Sequence, residues 1–126
     1  MEHYEFNHIG IATKSIQETT RRLDMLGIIS ETICDPLQRV NIAFINNLEL
    51  IEPASKPSPV DKLLANGVSI YHICYEVKNI GHSIYEMCLC GYELISQPKP
   101  AAAFDGRLIA FLAHPEDRIL IELLEK

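Results

Sequence analysis

An internal repeat constrains the fold of this chain more than any other feature. His8 and His72 each stand before an isoleucine in a short, extended segment, and they lie 64 residues apart. Gly27 and Gly91, which end the helical patterns that follow, have the same separation. Ile-Ala-Phe and then a Glu between apolar residues follow in the same order in both halves. Because each half is too small to bury a sufficient core alone, we predict one domain built from a duplicated unit.

Each copy is predicted to fold as a βαβββ module, so that the whole domain is α+β. In the first copy, Ser15 followed by Glu18 forms a capping-box start for a helix. In the second, Asn79 is expected to cap a helix that runs to Cys90. The predicted strands after these helices span 28–33, 39–45 and 47–52 in the first copy, and 92–96, 107–113 and 118–124 in the second.

The remaining segments are predicted to connect these elements. Asn46-Asn47 and Asp117-Arg118 stand where hairpin turns are needed. Ser58 as cap, Pro59 at the first helical position and Gly67 as stop predict a short connecting helix. The Pro-rich segment 97–106 is expected to form a loop at the rim of the site. The single domain 1–126 would thus comprise module 1 at about 5–53, a linker helix at about 54–68 and module 2 at about 69–126.

The repeat also places polar side chains at matching positions. Because successive strand residues point to opposite faces, His8 and His72 lie on the face opposite the isoleucines that follow them. Glu49 and Glu122 likewise lie on the strand face opposite their apolar neighbours. If the two copies pair as pseudo-twofold mates, these four side chains converge. Two imidazoles and two carboxylates suit one divalent ion such as Ni, Co, Mn, Fe or Zn.

Composition excludes several classes of function. The formal charge is −6, which disfavours nucleic acid and anionic membrane surfaces as partners. No apolar run reaches the length of a membrane-spanning helix, and the acidic segment Met1–Glu5 does not resemble a secretory signal. The four cysteines include no CxxC pair and are interpreted as reduced thiols, as expected of a cytoplasmic protein.

Six stretches of the sequence resemble the vicinal oxygen chelate superfamily, in its methylmalonyl-CoA epimerase and glyoxalase I branch. The similar stretches span nearly the whole chain; they are Phe6–Ala12, Val40–Phe44, Leu48–Pro53, His72–Val77, Ile109–Leu112 and Leu120–Leu123. The resemblance implies the glyoxalase/bleomycin resistance/dioxygenase-type fold, in which two βαβββ modules form a cupped mixed sheet around a metal site. By motif position the metal ligands would be His8, Glu49, His72 and Glu122.

The chemistry of this branch is proton abstraction next to a carbonyl, through a metal-chelated enolate. The expected activity is that of a metal-dependent epimerase of the methylmalonyl-CoA epimerase type, acting beside a thioester carbonyl. Glu122 is the first candidate for the base, and Glu49 could return the proton on the opposite face. Arg107, Lys99 and Arg118 are expected on the rim, where they could meet a CoA or glutathione carrier. The resembling proteins also lead us to expect a homodimer.

Two other functions remain open at this stage. One is a glyoxalase I-type lyase, for which the substrate would be a thiol hemithioacetal. The other is a non-catalytic protein that binds a small ligand, although a pure binder does not need two His and two Glu. Some epimerases place a second catalytic carboxylate near Asn41, where this chain has an amide.

Overall fold

The computed structural model describes residues 3–126, so Met1 and Glu2 of the segment inspected for a secretory signal lie outside the described residues. The chain forms two compact units. Ile9–Tyr71 make up one, here called the N-terminal unit, and the residues up to His8 together with His72–Lys126 make up the other, the C-terminal unit. The first strand, Glu5–Ala12, is therefore divided between them.

The N-terminal unit contains the first predicted module. Its elements are β1 (Glu5–Ala12, from Ile9 on), α1 (Ile16–Arg22), a 3₁₀ turn (Asp24–Leu26), β2 (Ile33–Asp35), β3 (Val40–Ile45), β4 (Leu48–Pro53) and α2 (Asp61–Ala65). The strand order is β2-β3-β4-β1, with β1 parallel to β4 and the other pairs antiparallel. Ser15 accepts a hydrogen bond from the backbone N–H of Glu18, which confirms it as the cap of α1.

The C-terminal unit repeats this plan. It contains β5 (Ile70–Val77, from His72 on), α3 (Ile80–Leu89), β6 (Glu93–Pro100), a 3₁₀ turn (Ala102–Phe104), β7 (Leu108–Ala113) and β8 (Leu120–Glu125). The strand order is β5-β8-β7-β6, with β5 parallel to β8. Asn79 accepts a hydrogen bond from the N–H of His82 at the start of α3, as predicted. Both units thus confirm the α+β class and the βαβββ order.

Strand register confirms the repeat. In the N-terminal unit Glu49 pairs with Gly10 of the parallel strand and with Phe44 of the antiparallel one. In the C-terminal unit Glu122 pairs with Cys74 and Phe111, the residues that correspond to Gly10 and Phe44. The two glutamates therefore occupy the same place in two copies of one arrangement of strands.

Two predicted element boundaries are wrong in the N-terminal half. Residues 28–33 were expected to form a strand, but Ile29 makes only an isolated bridge to Ile45 and β2 begins at Ile33. The connecting helix begins at Asp61, so Ser58 is not its cap. The Asp61 carboxylate accepts a hydrogen bond from the backbone N–H of Ser58, and this bond closes the turn that precedes the helix.

The predicted rim loop at 97–106 is also shorter than expected. Residues up to Pro100 continue β6, and only 101–106 leave the strand. A proline has no N–H to donate to a neighbouring strand, so it is tolerated at a sheet edge. Because β6 is the last strand in the order β5-β8-β7-β6, Pro98 and Pro100 fit within it.

Each unit has its own apolar core. In the N-terminal unit the core cluster consists of Ile16, Ala43, Ile45 and Leu50. In the C-terminal unit two clusters pack against the strands; they are Cys74, Ala101, Ile109, Phe111 and Leu124, and Val77, Ile80, Ala110, Leu112 and Leu123. Within residues 3–126, every helix is too short or too polar to cross a bilayer.

Candidate metal centre

Three of the four predicted ligands meet inside the C-terminal unit. His8 lies in β1, His72 in β5 and Glu122 in β8. The two imidazole Nε2 atoms are 3.1 Å apart, and Glu122 Oε1 lies 3.1 Å from His8 Nε2 and 3.0 Å from His72 Nε2. Three ligand-type atoms from three strands therefore form a nearly equilateral triangle.

The chemistry of this triangle fits a metal ion. The three residues are at most 3% exposed. Glu122 Oε1 is buried, and no hydrogen bond of good geometry reaches it from residues 3–126, despite the two short contacts. A buried oxygen without such a bond is costly unless another partner satisfies it. Two imidazole nitrogens and a carboxylate oxygen are ligands that first-row divalent ions accept.

The electrostatics of the triangle keep Glu122 ionised. Burial raises the pKa of Glu122, but the charge and close contact of His72, and then those of His8, outweigh burial and lower its pKa to about 2. An ionised carboxylate can bind a cation, whereas a protonated one competes with it. At neutral pH the side chain is therefore in the form that a metal ligand requires.

Two aromatic rings pack against the imidazoles. The Phe104 ring, from the 3₁₀ turn that follows β6, stacks on His8 at 5.6 Å between ring centroids. The Phe111 ring meets His72 edge-on at 5.4 Å. These contacts restrict the orientation of both imidazoles and surround them with apolar surface. No sequence pattern pointed to Phe104, because its role depends on how the segment 101–106 folds.

A second group of polar residues lies behind His8. His8 Nδ1 is 2.6 Å from Asn7 Oδ1, and Asn7 Nδ2 donates to Glu76 Oε1 at 2.9 Å. Arg107 donates to the other oxygen of Glu76 at 2.8 Å and, through Nε, to the carbonyl of Glu125 at 2.8 Å. Arg107 was expected to face substrate from the rim, but its guanidinium is bound to these two acceptors. Asn7 and Glu76 were not singled out as functional residues, although both lie near predicted ligands in the sequence.

Glu49, the fourth predicted ligand, belongs to the N-terminal unit. It lies in β4 between two leucines and is only 3% exposed, although it is a carboxylate. Asn41, where the resemblance led us to look for a second catalytic carboxylate, donates to Glu52 Oε2 at 2.9 Å. Glu52 Oε1 in turn accepts from the backbone N–H of Ile16 at the start of α1. Asn41 and Glu52 therefore support the helix.

Comparison with known proteins identifies the family. The family model described as Glyoxalase/Bleomycin resistance protein/Dioxygenase superfamily matches residues 7–111. A mitochondrial methylmalonyl-CoA epimerase from Dictyostelium discoideum is 29% identical, covering 97% of this chain and 78% of that protein.

Two solved structures extend the similarity to the fold. A hypothetical protein from Bacillus halodurans has a TM-score of 0.84 and 34% identity, covering 98% of this chain and 94% of that one. A variant of Streptomyces coelicolor methylmalonyl-CoA epimerase, in complex with 2-nitronate-propionyl-CoA, has a TM-score of 0.81 and 25% identity, covering 97% and 96%. With a matched model over most of its length, the chain belongs to the glyoxalase/bleomycin resistance protein/dioxygenase superfamily.

Proposed function

We propose that this chain is a metal-dependent epimerase of the methylmalonyl-CoA epimerase type, which inverts the carbon next to the thioester carbonyl of an acyl-CoA. The observation that carries the proposal is the buried triangle of His8, His72 and Glu122. Curated relatives and solved neighbours named as epimerases support this choice of reaction. The glyoxalase I alternative is not needed to account for these similarities.

The metal ligands in this proposal are His8, His72 and Glu122, with Glu49 as the fourth. Glu49 is a buried carboxylate, and its strand register in the N-terminal unit is that of Glu122 in the C-terminal unit. Its burial and its matching register support a role as a ligand. Ni, Co, Mn, Fe and Zn all accept such a donor set.

The reaction needs a proton to leave one face of a carbon and return to the other. A divalent ion held by these residues would supply the positive charge that stabilises an enolate oxygen. Glu122 and Glu49 are the proposed carboxylates for proton transfer, with Glu122 removing the proton and Glu49 returning it. Phe104, stacked on His8, keeps water from that side of the imidazole. The net change is inversion of one carbon, so neither an oxidant nor a second substrate is required.

The proposed substrate carries a CoA thioester, as in the complex of the Streptomyces coelicolor epimerase. Such a carrier brings several negative charges from its phosphates. Lys99 and Arg118 are the proposed rim cations, since Arg118 is exposed and Lys99 is partly so. Arg107 is not included, because Glu76 and Glu125 occupy it.

Metal analysis and isotope exchange test this function together. Purified chain is expected to bind about one divalent ion and to exchange the α-proton of methylmalonyl-CoA with deuterated buffer. His8→Ala and His72→Ala should each abolish both properties, because no other group replaces a lost ligand. The matched control is His82→Ala, which removes an exposed imidazole of α3. Full metal occupancy in either ligand variant would contradict the assignment.

A further inference from the structure

The polar residues behind His8 form a relay, a series of contacts from Arg107 through Glu76 and Asn7 to His8 in which each contact sets the donor and acceptor of the next. Arg107 can only donate, so the oxygen of Glu76 that it contacts must accept. An ionised Glu76 has only acceptors, so Asn7 must direct its amide Nδ2 toward it, at 2.9 Å. Asn7 Oδ1 is thereby left facing His8 Nδ1 at 2.6 Å, and an amide oxygen can only accept. His8 must then carry a proton on Nδ1.

From this relay we infer that Asn7, Glu76 and Arg107 are positioning residues, which keep a proton on His8 Nδ1 so that Nε2 is the ring nitrogen directed at the proposed metal centre. The inference rests on the metal centre of the proposed function. It implies that the His8 ring already has the orientation and the Nδ1 proton needed for coordination in the metal-free protein. In metal sites, partners of this kind typically change affinity by about 10- to 100-fold.

The surroundings of Glu76 support its part in the relay. Its carboxylate is half-buried between Asn7 and Arg107, and the hydrogen bond from Asn7 lowers its pKa, with further lowering by the hydrogen bond and charge of Arg107. Burial opposes this shift but is outweighed. Arg107 Nε donates a hydrogen bond to the carbonyl of Glu125, and this bond holds the guanidinium in the position from which it donates to Glu76.

Glu76→Gln gives a specific test because an amide at position 76 should exchange the donor and acceptor roles of Asn7 and His8. Arg107 would still require an oxygen, so the new amide at position 76 would present its NH₂ to Asn7. Asn7 would then turn its own NH₂ toward His8, and the proton of His8 would move to Nε2. We expect the metal-free variant to show this Nε2–H tautomer in long-range ¹H–¹⁵N correlation spectra of ¹⁵N-histidine-labelled protein. Its Zn²⁺ affinity, measured by competition with a chelator, should fall about 10- to 100-fold.

The double variant Asn7→Asp/Glu76→Gln should restore the wild-type state. A carboxylate at position 7 accepts from the amide at position 76 and from His8 Nδ1, so the Nδ1–H tautomer and most of the Zn²⁺ affinity should return. Glu93→Gln, which removes an exposed carboxylate of β6, is the control and should change neither readout. A purely structural role for Glu76 predicts no such rescue.

The two readouts separate this inference from the proposed function. If wild-type chain shows the Nδ1–H tautomer but binds no Zn²⁺, the proposed metal centre is wrong. The relay is overturned if the His8 tautomer in Glu76→Gln remains that of the wild type, or if the double variant stays in the Nε2–H form. A urea midpoint for each variant, measured without metal, identifies any variant that fails to fold. The tautomer of His8 in metal-free wild-type protein then decides by itself, since an Nε2–H form without a proton on Nδ1 would overturn the relay.

Discussion

The proposed function gives Glu122 two tasks that make opposite demands on one carboxylate. As a metal ligand it must be ionised, and its neighbours His72 and His8 provide this by lowering its pKa to about 2 against the effect of burial. As a base it must accept a proton from carbon, which a low pKa disfavours. The proposed function therefore relies on a bound ion to stabilise the substrate enolate.

Glu122→Gln tests the two tasks separately. The amide oxygen can still coordinate, so we expect much of the bound metal to remain. Proton abstraction should be lost, with a decrease of about 10²–10⁴-fold in turnover and little change in substrate affinity. The measurement is α-proton exchange in deuterated buffer, with metal content determined on the same sample.

Glu49→Gln is the companion variant for this experiment. It should affect solvent exchange less than Glu122→Gln if Glu49 serves only the opposite face, yet it should still prevent full epimerisation. Exchange at the wild-type rate in metal-loaded Glu122→Gln would assign Glu122 as a ligand only.

Glu76 should contribute a pH-dependent part of the stability of the metal-free protein. Its pKa in the folded chain is lowered from the ordinary 4.5, first by the hydrogen bond from Asn7 and then by Arg107. A lowered pKa stabilises the folded state above the unfolded value, and this contribution is lost as the pH falls through the folded value. Glu76→Gln should therefore destabilise the chain at pH 7, and the difference from wild type should shrink below about pH 4.

Urea unfolding at pH 7 and at pH 3 measures this difference. Glu93→Gln, at an exposed position, is expected to show no such change between the two pH values. A difference between wild type and Glu76→Gln that is the same at both pH values would mean that the ionised form of Glu76 has no special partner in the fold.

Single residues also show where sequence reasoning ends. His8, His72 and Glu122 were predictable because the repeat set each of them apart from apolar strand neighbours. The relay was not, because the contact between Asn7 and Glu76 joins residues 69 positions apart, and only strand packing brings them together. Arg107 looked like a rim cation for the same reason, since its partners are not visible along the chain.

Two helix caps were easier to predict than the ends of strands. The caps Ser15 and Asn79 both accept the expected backbone hydrogen bond, because capping depends on residues three apart. The extent of β6 depends on its position at the sheet edge, which local sequence does not reveal, and its prolines suggested a loop. The start of α2 was misplaced because the Asp61 carboxylate, and not Ser58, organises the preceding turn.

The cap of α3 gives a prediction at the level of this element. Asn79→Ala removes the acceptor for the N–H of His82 and should lower the free energy of unfolding by about 0.5–2 kcal/mol. Asn79→Asp keeps an oxygen acceptor and should stay close to wild type. Urea denaturation of the three proteins provides the comparison, and an alanine variant as stable as wild type would show that the cap is not needed.

The whole molecule is best understood as two copies of one strand arrangement. Each unit pairs its first and last strands in parallel, with a glutamate at the same register, and each uses a carboxylate to accept the first N–H of its helix. Glu52 accepts from Ile16 in one unit, and Glu125 accepts from Ile80 in the other. This correspondence explains why a repeat seen in the sequence was sufficient to predict the fold class.

Assembly is a further property of the whole molecule. We predict a homodimer, since open sheet edges need to be covered. Light scattering over a range of protein concentrations measures the mass directly. A mass of 14.2 kDa at high concentration, that of one chain, would contradict the prediction.

The central claim is that the buried His and Glu side chains hold a metal ion which is required for proton exchange beside a thioester carbonyl. The most direct measurement follows the α-proton of methylmalonyl-CoA by NMR in deuterated buffer, with wild-type and His72→Ala protein, each stripped of metal and then titrated with Co²⁺. Wild type should exchange the proton only after Co²⁺ is added, saturating near one ion per chain, and His72→Ala should not respond. Exchange by stripped wild type at the same rate, or equal activation of His72→Ala, would contradict the account.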